Sequence, residues 1–372
     1  MTIHSRYRQP RRTDPCSRKR AMSKPLCWIH TGLHKTGTTA LQRTFSQNRS
    51  NLSKAGFLYP DLRPIKSRPA EAHHLLFRRL GVACEGFSEA DCKTLCAIWL
   101  KQCTENKSSL LLSAESLSRY PTTIEALDWE WPDKRRRFLE GVADLLQEYR
   151  VVPIVVLRRQ DEFIESFYKE WVLKRHENSH LRFEDFIRVS APFYLRFEDN
   201  ITLMKSIFGE VRVLSYHALK GGDLARNFFQ ALGSDVELES PTPHIRPSLS
   251  TQMTEIKRCL NSVSHPCADP KNFSKLAGCH AYQEWLQRPG RNLGSSESNL
   301  WASSDARRAF IDSFEQENAR IARDYFGDGN RFPEYIETSS SNYMEALQLT
   351  KGDYRELATF VSDSGIDQSA LR

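Results

Sequence analysis

No apolar run in this 372-residue chain approaches the roughly 20 residues that a membrane-spanning helix needs; residues 110–112 and 151–157 are its longest candidates. Its nine cysteines include no Cys-x-x-Cys pair, and an odd number at these spacings fits neither a zinc site nor a disulfide framework. Reduced thiols, as in a cytoplasmic protein, are the expectation. Cys92, Cys96 and Cys103 alternate with Leu95, Trp99 and Leu100 at helical spacing and read as core residues. Beyond residue 24 the chain also lacks net charge. The whole +7 resides in the first 24 residues, where eight Lys and Arg face Asp14 alone. That stretch has no apolar h-region, so it is not a secretory signal. It reads as a disordered leader, or as an upstream extension of a start at Met22. A nucleic-acid partner is not expected from a charge confined to such a leader, and peripheral membrane contact is the weaker reading of it.

Apolar residues at 40% and charged residues at 27% are globular values. Residues 26–30 read as a strand that stops at Thr31-Gly32. Leu41, Phe45 and Leu52 then mark a helix over 38–52. Residues 56–60 form a short strand, 88–103 part of a helical stretch, and 110–113 a buried strand. A helix at 138–149, a strand at 151–157, a helix at 161–176, a strand at 211–216 and a helix at 223–232 follow, the last closed by Gly233. This alternation predicts an α/β fold with a mostly parallel, doubly wound sheet flanked by helices. Residues 241–332 read as helices on the same domain, giving one unit over 25–333 with a helical C-terminal segment. Residues 334–372, rich in Ser, Glu and Asp, read as a loosely held, weakly acidic tail with one helix near 354–361.

The first strand runs into Gly32-Leu33-His34-Lys35-Thr36-Gly37-Thr38-Thr39 and then a helix. Strand, glycine loop and helix start present backbone N–H groups and a positive helix end to a phosphate. Lys35 adds a mobile charge, and the hydroxyls of Thr36, Thr38 and Thr39 add donors. An ATP-type loop carries its lysine immediately after the second glycine, where this chain has Thr38. The lysine lies two residues before Gly37 instead, which disfavours a kinase.

The segment Gly-Leu-His-Lys-Thr-Gly-Thr-Thr resembles the 5′-phosphosulfate loop of sulfotransferases that use 3′-phosphoadenylyl sulfate (PAPS), particularly their bacterial branch. In that family a strand ending in Arg is followed eight residues later by a helical Ser, and both hold the donor's 3′-phosphate. Arg158 after Val155-Val156-Leu157, with Ser166 beyond it, matches this pattern. Val213-Leu214-Ser215-Tyr216-His217 is similar to the strand whose Tyr approaches the adenosine. Two features depart from the family: Ala40 stands where animal cytosolic members have a Trp against the adenine, and their C-terminal Arg-Lys-Gly motif is not evident. Arg246 reads first as an exposed loop arginine, and second as a candidate to complete the 3′-phosphate pocket.

The resemblance implies a P-loop-type domain and a sulfotransferase. It would move a sulfuryl group from PAPS to the hydroxyl of a small molecule or glycan, a carbohydrate or glycolipid, releasing adenosine 3′,5′-bisphosphate without a metal. Lys35 suits the leaving phosphate. Glu115, just past the strand at 110–113, falls at the family position that carries a His or Glu base, and a base there would have its pKa raised by partial burial. His34 in the loop, and His73 and His74 at the start of a helix, are rival bases or acceptor contacts. A P-loop kinase, or an inactive P-loop domain binding a nucleotide or a protein partner, are the alternatives. The chain does not specify an oligomeric state.

Overall fold

The computed structural model describes residues 24–63, 65, 70–81, 87–118, 131–175, 178–239, 249–287, 299–326, 332–333 and 347–363. The leader up to residue 23, Arg246 and the breaks expected at 289–296 lie outside these residues.

Five strands form one all-parallel sheet: β1 (Leu26–Gly32), β2 (Phe57–Leu58), β3 (Ser109–Ser113), β4 (Arg150–Leu157) and β5 (Arg212–Ser215), in the order β2-β3-β1-β4-β5. Side chains of a strand alternate between its two faces, and both faces are covered, as parallel sheets require. Cys27, Ile29, Leu110, Leu112, Val155 and Leu157 enter a core on one face. Trp28, Leu111, Val152, Ile154 and Val156 enter a second core on the other. The expected doubly wound α/β sheet is therefore what the chain forms.

The connections after β1 run to one side of the sheet and β4 lies on the other, so the order switches between β1 and β4. Ligands of open α/β sheets bind at that point, beyond the strand ends. The backbone is irregular there: the β1–β4 register shifts between His30 and Gly32, and the Leu33 N–H donates to the Val156 carbonyl at 2.9 Å.

The single helix expected over 38–52 is divided into α1 (Thr38–Gln47) and α2 (Arg49–Lys54). Asn48 causes the break. Its side chain donates to the carbonyls of Thr44 and Glu239 and accepts from the Glu239 N–H, competing with helical backbone bonds. Helices α3 (His74–Gly81), α4 (Glu89–Asn106) and α5 (Trp131–Leu145) follow around β3. Cys92, Cys96 and Cys103 of α4 are buried. Beyond β4 come α6 (Gln160–Lys174), α7 (Phe183–Tyr194) and α8 (Phe197–Phe208). After β5, the short α9 (Tyr216–Lys220) leads to α10 (Leu224–Ala231), capped by the Asp223 carboxylate and followed by Gly233 at φ 77°.

The C-terminal segment is helical as expected: α11 (Thr251–Ser262), α12 (Pro270–Ala277), α13 (His280–Leu286), α14 (Ser304–Asp312) and α15 (Glu315–Ile321). Trp301, Ile321 and Phe326 join the first sheet core, whereas α11 to α13 build a third apolar cluster. The expectation of a loosely held tail fails for residues 347–363. There α16 (Lys351–Asp363) inserts Leu357 and Phe360 into that third cluster beside Phe273 and Trp285. The Ser- and acid-rich composition concealed one apolar helix face. Because Leu357 is fully buried, Leu357→Ala should cost about 2–5 kcal/mol in chemical denaturation; a parental midpoint would show α16 to be undocked.

Candidate active site

At the end of β1 the chain turns through Gly32 at φ 92°, Lys35 at φ 63° and Gly37 at φ 78° before α1 begins. Both glycines are required by φ, and Gly32 by space as well, whereas at Gly37 only the movable end of a leucine lies close. A Cβ on Gly32 would lie 2.9 Å from the Glu115 Cβ, and one on Gly37 would lie 2.5 Å from Leu224 Cδ2. Thr36 is fully buried and its hydroxyl donates to the Leu33 carbonyl at 2.6 Å. That hydroxyl ties the loop back on its own first residues. Gly37, at the N-cap of α1, supplies no side-chain cap, and the first turn of this ten-residue helix holds no acid. Thr38 is buried, whereas Thr39 is exposed at the helix start. An uncapped helix start behind a glycine turn is suited to an anion.

Arg158, one residue past β4, reaches this loop. Its Nη1 donates to the Lys35 carbonyl at 3.2 Å, its Nε to Glu162 Oε2 at 3.1 Å, and its guanidinium lies 5.3 Å from the Tyr216 ring centre. Tyr216 begins α9 instead of ending β5 as expected, because pairing with β4 stops at Ser215. Glu162, Ser166 and Glu170 recur every four residues on α6 and so share one face. Glu162 holds Arg158, and Glu170 Oε2 lies 3.3 Å from Lys35 Nζ. Half-buried Ser166 stands between them. Thus Lys35, Arg158, Ser166 and Tyr216, read from separate segments, converge at one end of the sheet.

Glu115 opens a 3-10 turn directly after β3, against Gly32. Its Oε2 accepts from Gln42 Nε2 at 2.5 Å and lies 3.2 Å from His74 Nε2. Burial alone would push this carboxyl up. The bond and charge of His74, with His34 and Gln42, outweigh burial and hold it well below the usual carboxylate range. The direction is opposite to that expected from burial, since the opposing partners come from helices far away in sequence. His74 Nδ1 lies 3.0 Å from Ser116 Oγ. His34, half-buried, stacks 6.3 Å from Phe167 and acts electrostatically on both Glu115 and Glu170. Burial pushes the Glu170 carboxyl up, but Lys174 and Lys35 outweigh it and bring it to about 2.

Two further histidines lie beneath the loop. His73 Nδ1 accepts from the Ser113 N–H, so its Nε2 carries the proton donated to the Pro60 carbonyl at 3.1 Å. His30 Nδ1 meets Ser113 Oγ at 2.9 Å. Burial lowers the pKa of each to about 4, which keeps both neutral at physiological pH. They are structural supports of the β1 and β3 ends.

No family model matches the chain. An uncharacterized protein of Archaeoglobus fulgidus is 29% identical over 189 residues, a match covering 49% of this chain. The chain spans about half the length of that relative, 48%. The crystal structure of a sulfotransferase from Alicyclobacillus acidocaldarius aligns with 64% of this chain and 94% of its own at 13% identity, with a TM-score of 0.35. Among the described residues, no helix is long and apolar enough to cross a membrane.

Gln42, Glu162 and Glu170 were not legible as site residues. Gln42 gives no sequence signal. Glu162 and Glu170 carry one, the four-residue spacing about Ser166.

A carboxyl depressed in the folded state stabilises the protein above its unfolded value, near 4.5, and that contribution is lost as pH falls further. Glu115→Gln should therefore flatten the acid side of a stability-against-pH curve measured by denaturant titration. Equal slopes in parent and variant would show that Glu115 is not held as described.

Proposed function

We propose that this protein transfers a sulfuryl group from PAPS to an acceptor hydroxyl, the acceptor being a carbohydrate or glycolipid as the resemblance implies. One observation carries the reading. Arg158 bonds the backbone of the very loop that bears Lys35 and the uncapped α1 start, with Ser166 alongside on α6. Two phosphate-recognition elements are thereby joined into one surface, as a nucleotide carrying both a 5′-phosphosulfate and a 3′-phosphate requires.

In this reading the α1 start and Lys35 face the 5′-phosphosulfate, while Arg158 and Ser166 face the 3′-phosphate. Tyr216, already stacked under Arg158, borders the nucleoside. The acceptor oxygen attacks sulfur, the bond from sulfur to the bridging phosphate oxygen breaks, and adenosine 3′,5′-bisphosphate leaves. Lys35 offsets the charge that gathers on the leaving phosphate. Its pair with Glu170 is part-exposed on both sides, 28% and 26%, and such pairs are worth under about 1 kcal/mol, so a phosphate displaces Glu170 readily. Glu115 is ionised at neutral pH; the acceptor hydroxyl takes the place of Gln42 on its carboxylate, which removes part of what depresses it, and Glu115 then accepts the acceptor's proton with His74 hydrogen-bonded behind it. His34 is the next candidate.

Adenosine 3′,5′-bisphosphate at 100 times its Kd should stabilise the protein by about 2.7 kcal/mol, visible as a thermal shift that ATP with Mg²⁺ does not match. A larger shift with ATP and Mg²⁺ would favour a kinase. Lys35→Ala should lower turnover of labelled PAPS by orders of magnitude, and Arg158→Ala should weaken the bisphosphate. Glu115→Gln should keep donor affinity and lose about 10²–10⁴ in turnover. Near-parental turnover would move the base to His34 or His74.

A further inference from the structure

Three consecutive residues at the entry to α6 are tied to the C-terminal part of the chain. The Arg159 Nη1 donates to the Pro333 carbonyl at 3.0 Å. Gln160 and Asn318 exchange reciprocal amide bonds of 2.7 and 3.0 Å. Asp161 is fully buried and meets two arginines: Arg159 through Nε at 2.6 Å and Nη2 at 3.0 Å, and Arg307 through Nε at 2.7 Å and Nη2 at 2.6 Å. The two arginines hold its carboxyl low against the upward push of burial.

This triad continues toward the phosphate loop. Glu162 bridges the two adjacent arginines, its Oε1 lying 3.3 Å from Arg159 Nη2 and its Oε2 3.1 Å from Arg158 Nε. Arg158 then reaches the Lys35 carbonyl. An unbroken chain of alternating charges therefore runs from α14 to the loop: Arg307, Asp161, Arg159, Glu162, Arg158. Arg159 spans both Asp161 oxygens as a fork, which fixes it in plane as well as in distance, while both Arg307 nitrogens converge on Oδ2, the oxygen it shares with Arg159. Displacing Arg307 frees one edge of Asp161, lets Arg159 move onto it, and changes how much of Glu162 is left to orient Arg158.

We propose that Arg307 on α14 is a positioning residue for Arg158, so that the C-terminal segment sets affinity for a 3′-phosphorylated nucleotide without touching it. The inference rests on Arg158 facing the 3′-phosphate, as the proposed function has it.

The readout is the ratio of Kd for adenosine 5′-phosphate to Kd for adenosine 3′,5′-bisphosphate, which isolates the contribution of the 3′-phosphate. Arg307→Lys preserves the charge and removes the paired nitrogens, so a change reports geometry instead of net charge. That ratio should fall by about 2- to 30-fold in Arg307→Lys, the range for residues that couple to a site through others. Affinity for adenosine 5′-phosphate should stay at the parental value. Because truncation of a buried ion network can unfold a protein, Asn318→Ala provides a second variant that cuts the neighbouring tether without stranding a charge. It should lower the same ratio. A parental ratio in each folded variant overturns the inference. Arg158→Ala separates the two layers. If it collapses the ratio while Arg307→Lys and Asn318→Ala do not, the donor reading stands and the inference fails. If it leaves the ratio unchanged, or the parent binds neither nucleotide, the donor reading fails and the inference with it.

Discussion

The position of the Arg158 guanidinium governs the geometry of the whole site. Lys35 sits in the left-handed region, which a side chain adopts at some cost, and its carbonyl is bonded by Arg158. That bond joins the end of β4 to the loop after β1, across the point where the sheet order switches. The ring of Tyr216 lies below the same guanidinium, and Glu162 holds its edge. Three elements that diverge from neighbouring strands are thereby held around one cation.

Each carboxylate in the site faces a basic side chain. Glu170 faces Lys35, Glu162 faces Arg158, and Glu115 faces His74. The Lys35–Glu170 and Arg158–Glu162 pairs are part-exposed and have modest net energies in water, whereas Glu115 is more deeply buried. The buried triad around Asp161 differs. Its charges are removed from solvent, so loss of one partner is costly while the complete set is tolerated. The molecule thus combines exchangeable pairs at the surface of the site with a fixed set behind it.

Much of this was readable from local sequence. The turn from Gly32 to Thr39 announces itself through glycines, hydroxyls and a lysine between a strand and a helix. The run from Val155 to Arg158 announces the neighbouring strand end. Position was read more successfully than electrostatics. Glu115 was placed at the strand end from its neighbours, but its ionisation depends on His74 and Gln42, which approach from α3 and α1. Asn48 interrupts a helix through a partner 191 residues away, and Asp161 meets Arg307 across 146 residues. Pairings of that separation leave no periodicity in either segment. Composition also misled at the C-terminal end, where polar residues around Leu357 and Phe360 hid an apolar face.

Helix α6 is gripped at its other end too. The Val172 carbonyl, near its C-terminus, accepts from the Lys257 ammonium at 3.2 Å and from Asn261 Nδ2 at 3.0 Å, both on α11. The helix that carries Ser166 is therefore seated at each end by residues translated long after it. During synthesis the emerging chain holds the loop and Arg158 well before α11 and α14 arrive to seat the helix between them. The site is accordingly complete only when these C-terminal helices are in place, because α6 takes its seat at both ends from residues that lie 85 and 146 positions further along the chain.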